Sequence, residues 1–325
     1  MSNYELYKHC VLCPRACGAN RLEGGRGFCG EDAALRIACA CLHCGEEPPL
    51  TGKAGSGTVF VSGCSLRCVF CQNYQISRYG MGRALSGEEF AALCHLLQNK
   101  GAANINIVTG THAAPAIAGG LALARAGGLC LPVLWNTSGY ESLSTLSLLD
   151  DVVDVFLPDL KTLSTGRARD FFGAADYPAI AAAAVQAMID AKPLSFSQDG
   201  ALIQGVLVRH LVLPGHLDET RTVLEWFARY AQGRALLSLM TQYTPLPNRQ
   251  PETEKPASLP ERFVNEAEYE TLLRWLEELG IEDGYYQELE PGSAWLPDFS
   301  QAEPFPGGLG RCIWHWKTDG AVALV

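Results

Sequence analysis

Cys64, Cys68 and Cys71 place three thiols within eight residues, at a C-x3-C-x2-C spacing. They follow Thr58-Val59-Phe60-Val61-Ser62-Gly63, a β-branched and aromatic run ending in glycine, which predicts a buried strand feeding a loop. Three thiolates on one short loop can hold three irons of a [4Fe–4S] cubane and leave the fourth iron without a protein ligand. An iron with an open position can bind a small molecule and pass an electron into it. A zinc site normally gathers its cysteines as two-residue-gap pairs and closes with four ligands. A disulfide framework suits small secreted domains, whereas this chain is 325 residues long and opens on no signal-peptide pattern. The spacing therefore points to chemistry at an open cluster.

A second set of thiols lies upstream. Cys10-x2-Cys13-x3-Cys17 and Cys29, with Gly24, Gly25 and Gly27 between, form a candidate auxiliary metal site. A further [4Fe–4S] cluster and a structural zinc fit these four equally well, and unligated buried thiols are the third reading. Cys39 and Cys41 alternate with alanines and read as core, since a free cysteine packs like a small hydrophobe. Cys94, Cys130 and Cys312 are isolated in sequence and read as structural. Glu46 and Glu47 stand before Pro48-Pro49 and read as a charged surface loop.

The elements that must position these groups divide the chain in three. Residues 1–57 read as a Cys-rich, loop-rich N-terminal cap. Residues 58–243 alternate short apolar strands with helical stretches, which predicts βα units on a parallel sheet, an α/β fold. Strands are expected near Val59–Val61, Ile105–Val108, Pro132–Trp135, Val152–Leu157, Gly205–Leu213 and Leu236–Met240. Ser86 and Glu89 form a capping box opening a helix from Phe90 to Lys100 that Gly101 stops. Further helices are expected over Ile180–Ala191 and Asp218–Ala231. Residues 244–325 begin with a proline-rich linker (Pro245, Pro247, Pro251, Pro256, Pro260), then a helix over Glu266–Leu279. Beyond Pro291 comes a tail with Trp295, Trp314 and Trp316, which reads as a packed strap in preference to a lid.

The net charge of −10 argues against a nucleic-acid partner, because phosphate binding needs a basic face. No run reaches the apolar length of a membrane span. Thirteen cysteines without an export signal predict a reducing, cytoplasmic setting.

With Phe70 just before its last cysteine, the three-cysteine motif resembles the signature of radical S-adenosylmethionine (SAM) enzymes. From Cys10 to about Gln287 the chain resembles pyruvate formate-lyase activating enzyme-related radical SAM proteins. The matching pieces are Cys13-Pro14-Arg15-Ala16-Cys17-Gly18, Gly45-Glu46-Glu47-Pro48-Pro49, Cys71-Gln72-Asn73-Tyr74, Asn136-Thr137-Ser138-Gly139-Tyr140, Leu157-Pro158-Asp159-Leu160-Lys161, Arg209-His210-Leu211-Val212-Leu213-Pro214-Gly215 and Leu239-Met240-Thr241-Gln242-Tyr243.

The resemblance implies a partial (β/α)6 TIM-like barrel between the cap and the C-terminal extension. It also implies a [4Fe–4S] cluster on Cys64, Cys68 and Cys71 that reductively cleaves S-adenosylmethionine to a 5′-deoxyadenosyl radical for hydrogen abstraction. An electron donor such as flavodoxin or ferredoxin is then required, and the target is a glycine of a glycyl radical enzyme. Modification of another peptide or of a small metabolite is the alternative, and a metal-stapled binding protein is the alternative outside enzymes.

The cofactor contacts implied are Phe70, Thr109, Gly110, Asn136, Thr137, Asp159, Lys161, Arg209 and Gln242. At the second strand many relatives carry Gly-Gly-Glu, from which Val108-Thr109-Gly110-Thr111-His112 departs. His112 there reads as a capping or packing residue. Arg209 interrupts an apolar strand and must find an anion. A structural salt bridge is one choice, and the resemblance favours a face toward cofactor or substrate.

Overall fold

The apolar runs between Thr58 and Tyr243 are strands, and the central ones are buried on both faces, as parallel strands covered by helices must be. The computed structural model describes residues 3–246, 256, 258–289, 292, 295–305 and 308–322. Pro247, Pro251 and Pro291, assigned above to the linker and the start of the tail, lie outside the described residues. The strands are β1 (Leu35–His43), β2 (Ser56–Val61), β3 (Arg83–Leu85), β4 (Ile105–Val108), β5 (Val133–Thr137) and β6 (Val155–Pro158). They continue with β7 (Ser195–Phe196), β8 (Leu202–Leu211), β9 (Leu236–Met240), β10 (Gly284–Tyr286) and β11 (Gly310–His315).

The main sheet runs β10-β9-β8-β6-β5-β4-β2-β1-β11. From β2 to β10 the pairing is parallel, and β1 and β11 add an antiparallel flank. The sheet curls around an interior without closing, the form of a partial TIM-like barrel. The six expected strands are β2, β4, β5, β6, β8 and β9. β10 extends the parallel run by one.

α1 (Pro48–Thr51) lies between β1 and β2, and the parallel strands are separated by α2 (Tyr74–Ser77), α3 (Gly87–Asn99), α4 (Ala114–Ala126) and α5 (Leu143–Leu149). They are followed by α6 (Thr165–Phe172), α7 (Tyr177–Ala191), α8 (Leu217–Tyr230) and α9 (Glu266–Glu278). The capping box of α3 is complete. Glu89 N donates to Ser86 Oγ at 3.2 Å, and Ser86 N donates to a Glu89 carboxylate oxygen at 2.9 Å. Gly101 ends that helix at φ +86°, where a side chain is disfavoured. Among the described residues no single helix is long and apolar enough to cross a membrane.

Two parts of the chain differ from expectation. The segment before residue 57 is not only loop, because β1 pairs with β2, β3 and β11 inside the main sheet. Cys39 and Cys41, on that strand, are fully buried. Over Gly310–His315 the tail is a strap, with β11 hydrogen-bonded to β1 and its Trp314 buried. Cys312 is not isolated, since its Sγ lies 3.6 Å from that of Cys39.

The loop from β1 to β2 matters most for the site. It carries α1 into the bottom of the barrel, where Leu50, 1% exposed, packs against Leu134, Val155, Leu207 and Leu236. Asn104 Nδ2 donates to Leu50 O at 2.7 Å and fixes the plug. The barrel is therefore closed below and open above, at the C-terminal ends of its strands.

Candidate active site

Gly63 turns the chain out of β2 at φ +83°, where a Cβ would sit 2.4 Å from the Glu31 side chain. The loop that follows is pinned by Arg78, whose Nη2 donates to Arg67 O at 2.7 Å and Cys68 O at 2.8 Å. Leu66 N and Arg67 N both point at Cys64 Sγ, each at 3.3 Å, with Arg67 held at φ +53°. Ser77 Oγ donates to Cys71 Sγ at 3.4 Å. Backbone N–H groups aimed at sulfur favour a thiolate. Burial does the opposite and pushes the thiols of Cys64 and Cys68 up. A positively charged metal group bound to all three sulfurs resolves that conflict, so the residues fit an iron–sulfur cluster. Among the described residues no three His, Cys, Asp or Glu side chains converge closely enough to hold a single ion. A cubane spaces its corner thiolates more widely than one tetrahedral ion does.

The three thiols open on a cavity of about 340 Å³ that fills the barrel above the plug. Its walls carry the strand ends singled out above. Thr109, Asn136, Thr137, Asp159, Lys161, Arg209 and Gln242 all line it, and so does Phe70. Phe70 is wedged edge-on against Phe171, Phe172 and Tyr243, which sets the height of the cysteine loop.

Lys161 Nζ lies 2.6 Å from Asp159. Burial alone would lower its pKa, but the Asp159 carboxylate holds it above the ordinary lysine range, so it stays a cation. Tyr177, the first residue of α7, ties this corner together. Its hydroxyl, with one proton to give, lies 2.9 Å from both Ser138 O and Asp159 O and accepts from Lys161 N at 3.0 Å. Gln242 accepts at its side-chain oxygen from Gln287 Nε2 at 3.1 Å, and its carbonyl accepts from Gln72 Nε2 at 3.0 Å.

Several expectations need correction. Gly110 does not line the cavity, and a Cβ there would stand 2.5 Å from the Trp135 ring and 2.8 Å from Ile117. Thr137 reaches the wall, but its hydroxyl is engaged behind it by Glu141. Glu141 also accepts from Thr111 at 2.7 Å and from Trp135 Nε1 at 3.2 Å, and burial raises its pKa. Arg209 is not free to meet an incoming anion. Its Nε donates to Glu47 at 2.9 Å, and its Nη2 reaches both Glu46 and Glu47 at 2.5 Å.

Glu46 and Glu47 are therefore not a surface loop. They form the floor of the cavity, their side chains 9% and 8% exposed, and Asn106 Nδ2 donates to Glu46 at 3.0 Å. The sequence carried one signal for them: an arginine alone in an apolar strand needs an anion. Tyr285, Trp295 and Phe305 also line the cavity, from beyond the six expected strands. His112 is a packing residue, as expected, its Nε2 bonded to Ser62 O at 2.7 Å and its pKa pushed down to about 3 by burial.

The upstream cysteines sit beside the cluster loop, where Cys64 N donates to Cys29 O at 3.4 Å. Cys10, Cys13 and Cys29 are buried and Cys17 is exposed. Burial pushes the Cys13 thiol up to about 12. Arg21, 1% exposed, lies with Nη1 3.7 Å from Cys10 Sγ. Its other hydrogen bonds go to the carbonyls of Asp32 and His112.

A parallel half-barrel with thiols beyond its first strand and polar strand ends facing them defines a cofactor-dependent enzyme. Residues 58–227, just over half of the chain, match the model of the Radical SAM superfamily, and the protein belongs to that superfamily. Membership implies a [4Fe–4S] cluster and S-adenosylmethionine. The uncharacterized protein MJ0674 of Methanocaldococcus jannaschii is 28% identical over 248 residues, 74% of this chain and 67% of that protein. Among solved structures, Streptococcus suis SuiB bound to S-adenosylmethionine aligns with a TM-score of 0.48 and 10% identity, over 70% of this chain and 48% of SuiB. The chain thus spans about half the length of SuiB. A domain of a pyruvate-formate lyase-activating enzyme from Bacteroides vulgatus aligns with a TM-score of 0.33 and 11% identity, over 51% of this chain and 88% of that domain. Likenesses this loose carry no substrate across.

Proposed function

We propose that this radical SAM enzyme holds its cluster on Cys64, Cys68 and Cys71 and abstracts hydrogen from a substrate in the barrel, with a glycine of a glycyl radical enzyme as the target. The observation that carries the reading is the convergence of the three thiols, the Asp159–Lys161 pair, Asn136 and Gln242 on one cavity. When bound together, the cluster and S-adenosylmethionine supply a 5′-deoxyadenosyl radical. The chain's own part is to position and to shield. Lys161 offers a fixed cation to the cofactor's carboxylate, and Asn136 offers a neutral amide to its polar end. Gln242 faces the nucleoside, and Phe70 packs the loop so that the thiols cannot swing away.

The N-terminal cysteines Cys10, Cys13, Cys17 and Cys29 hold a second metal group in this reading, iron–sulfur ahead of zinc. Arg21 supports it. Among the described residues this buried guanidinium has no ion pair with a carboxylate, and metal-bound thiolates are the nearest anions that could balance it. Reduced flavodoxin or ferredoxin delivers the electron, and the reducing cytoplasm is the expected setting.

The test is anaerobic reconstitution with iron and sulfide, reduction, addition of S-adenosylmethionine and chromatography for 5′-deoxyadenosine. Product above background is expected, and none above background refutes the enzymatic reading. For the target, a candidate glycyl radical enzyme is added and the doublet of a glycyl radical is sought by electron paramagnetic resonance. Failure across such partners, with 5′-deoxyadenosine still formed, moves the target to another peptide or a small metabolite.

A further inference from the structure

We infer that the floor of the cavity binds a positively charged group of the substrate, an alkylammonium or a guanidinium, and so holds the reacting carbon above it toward the cysteine loop. The inference rests on the reading of this cavity as the radical active site, and it adds the chemical class of what enters.

Glu46 and Glu47 share a single guanidinium, that of Arg209, and all three side chains are 8–9% exposed. Lys161 does not add to the charge count at the floor, because its charge is matched by Asp159 at 2.6 Å and is directed to the cofactor's carboxylate. His43 stands 3.8 Å from Glu46, but its Nδ1 accepts from Gly45 N at 3.3 Å, and burial lowers its pKa, so it stays neutral. Two carboxylates against one guanidinium leave one negative charge in excess inside a wall of low dielectric. An anionic substrate is repelled by that charge, and a cationic one is drawn to it.

A further observation points to a ligand. The rings of Phe60, Phe305 and Trp295 line the same cavity, with Phe305 5.1 Å from both Phe60 and His43. Aromatic faces attract cations and offer an anion nothing. Carboxylate oxygens and π-faces together are the chemistry of ammonium and guanidinium recognition.

The probe is butylguanidinium, with the isosteric neutral butylurea as comparator, titrated calorimetrically into full-length reconstituted protein holding S-adenosylmethionine. Butylguanidinium is expected to bind about tenfold or more tightly than butylurea, the worth of one charge-assisted hydrogen bond. Glu46→Gln is expected to erase most of that preference. Equal binding of the two probes, no binding of butylguanidinium, or an undiminished preference in folded Glu46→Gln overturns the inference. If Glu46→Gln does not fold, the wild-type comparison still decides. Wild-type protein that yields 5′-deoxyadenosine without preferring the cation sinks this inference alone. Protein that prefers the cation and yields no 5′-deoxyadenosine sinks the radical reading alone.

Discussion

Replacing Arg209 by methionine removes the guanidinium that Glu46 and Glu47 share and leaves two carboxylates facing each other in a buried wall. Methionine keeps much of the side-chain volume, so the loss is electrostatic and not a cavity. Arg209 makes three charge-assisted hydrogen bonds, at 2.9, 2.5 and 2.5 Å, with its side chain 8% exposed. Breaking a buried pair by deleting one partner costs about 3–5 kcal/mol. At roughly 2 °C per kcal/mol for a chain of this size, Arg209→Met should melt about 6–10 °C lower at neutral pH.

The pH dependence has a definite sign. In the wild type, burial alone would raise the Glu47 pKa, but Arg209 holds its carboxyl below the ordinary range. That contribution is present above the unfolded carboxylate pKa and is lost as pH falls through the lower folded value. In Arg209→Met burial is left unopposed at Glu47 and should raise its pKa, so the deficit against wild type should shrink as the medium is made mildly acidic. Glu47→Gln in the same chain should recover part of the loss. Anaerobic thermal denaturation at neutral and mildly acidic pH reads all of this. An Arg209→Met protein melting within about a degree of wild type, or one whose deficit grows in acid, refutes the argument.

Cys64→Ala/Cys68→Ala/Cys71→Ala should lose the barrel's iron, while Cys94→Ala, on the buried face of α3, should keep it; elemental analysis decides. Iron left in the triple variant locates a second cluster at Cys10, Cys13, Cys17 and Cys29, whereas zinc alone rejects that assignment. Gly139→Ala puts a Cβ 2.4 Å from Asp159 O at φ +75°, so about 1–3 kcal/mol of stability should be lost, as read by chemical denaturation. Ser86→Ala removes the cap of α3 and should cost about 1 kcal/mol in the same assay.

The parts of the fold readable in the sequence are those whose cause is local. Six strands announce themselves by β-branched apolar runs, and α3 by a capping box whose two partners are three residues apart. The cysteine loop and the polar strand ends are equally local, because each motif sits where its strand stops. What the sequence conceals depends on distant partners. β1 looks like a cysteine-alanine alternation in a loop-rich cap until β11, more than 260 residues later, is laid against it. β10 is three residues long, too short for a periodicity to register. Glu46 and Glu47 precede two prolines, as surface turns do, and only Leu50 docking under the barrel shows that they point inward. Arg209 was the visible half of that network. Its need for an anion could be read, but the anion lies 162 residues away.

The central claim is that Cys64, Cys68 and Cys71 anchor a cluster at three corners and leave one iron to grip S-adenosylmethionine. Electron–nuclear double resonance on the reduced, reconstituted protein tests it most directly, with S-adenosylmethionine labelled with ¹⁵N at its amino group and ¹⁷O at its carboxylate. The account predicts hyperfine coupling to both labels in the wild type and none in the Cys64→Ala/Cys68→Ala/Cys71→Ala protein. A wild-type cluster that shows no coupling to either label contradicts it.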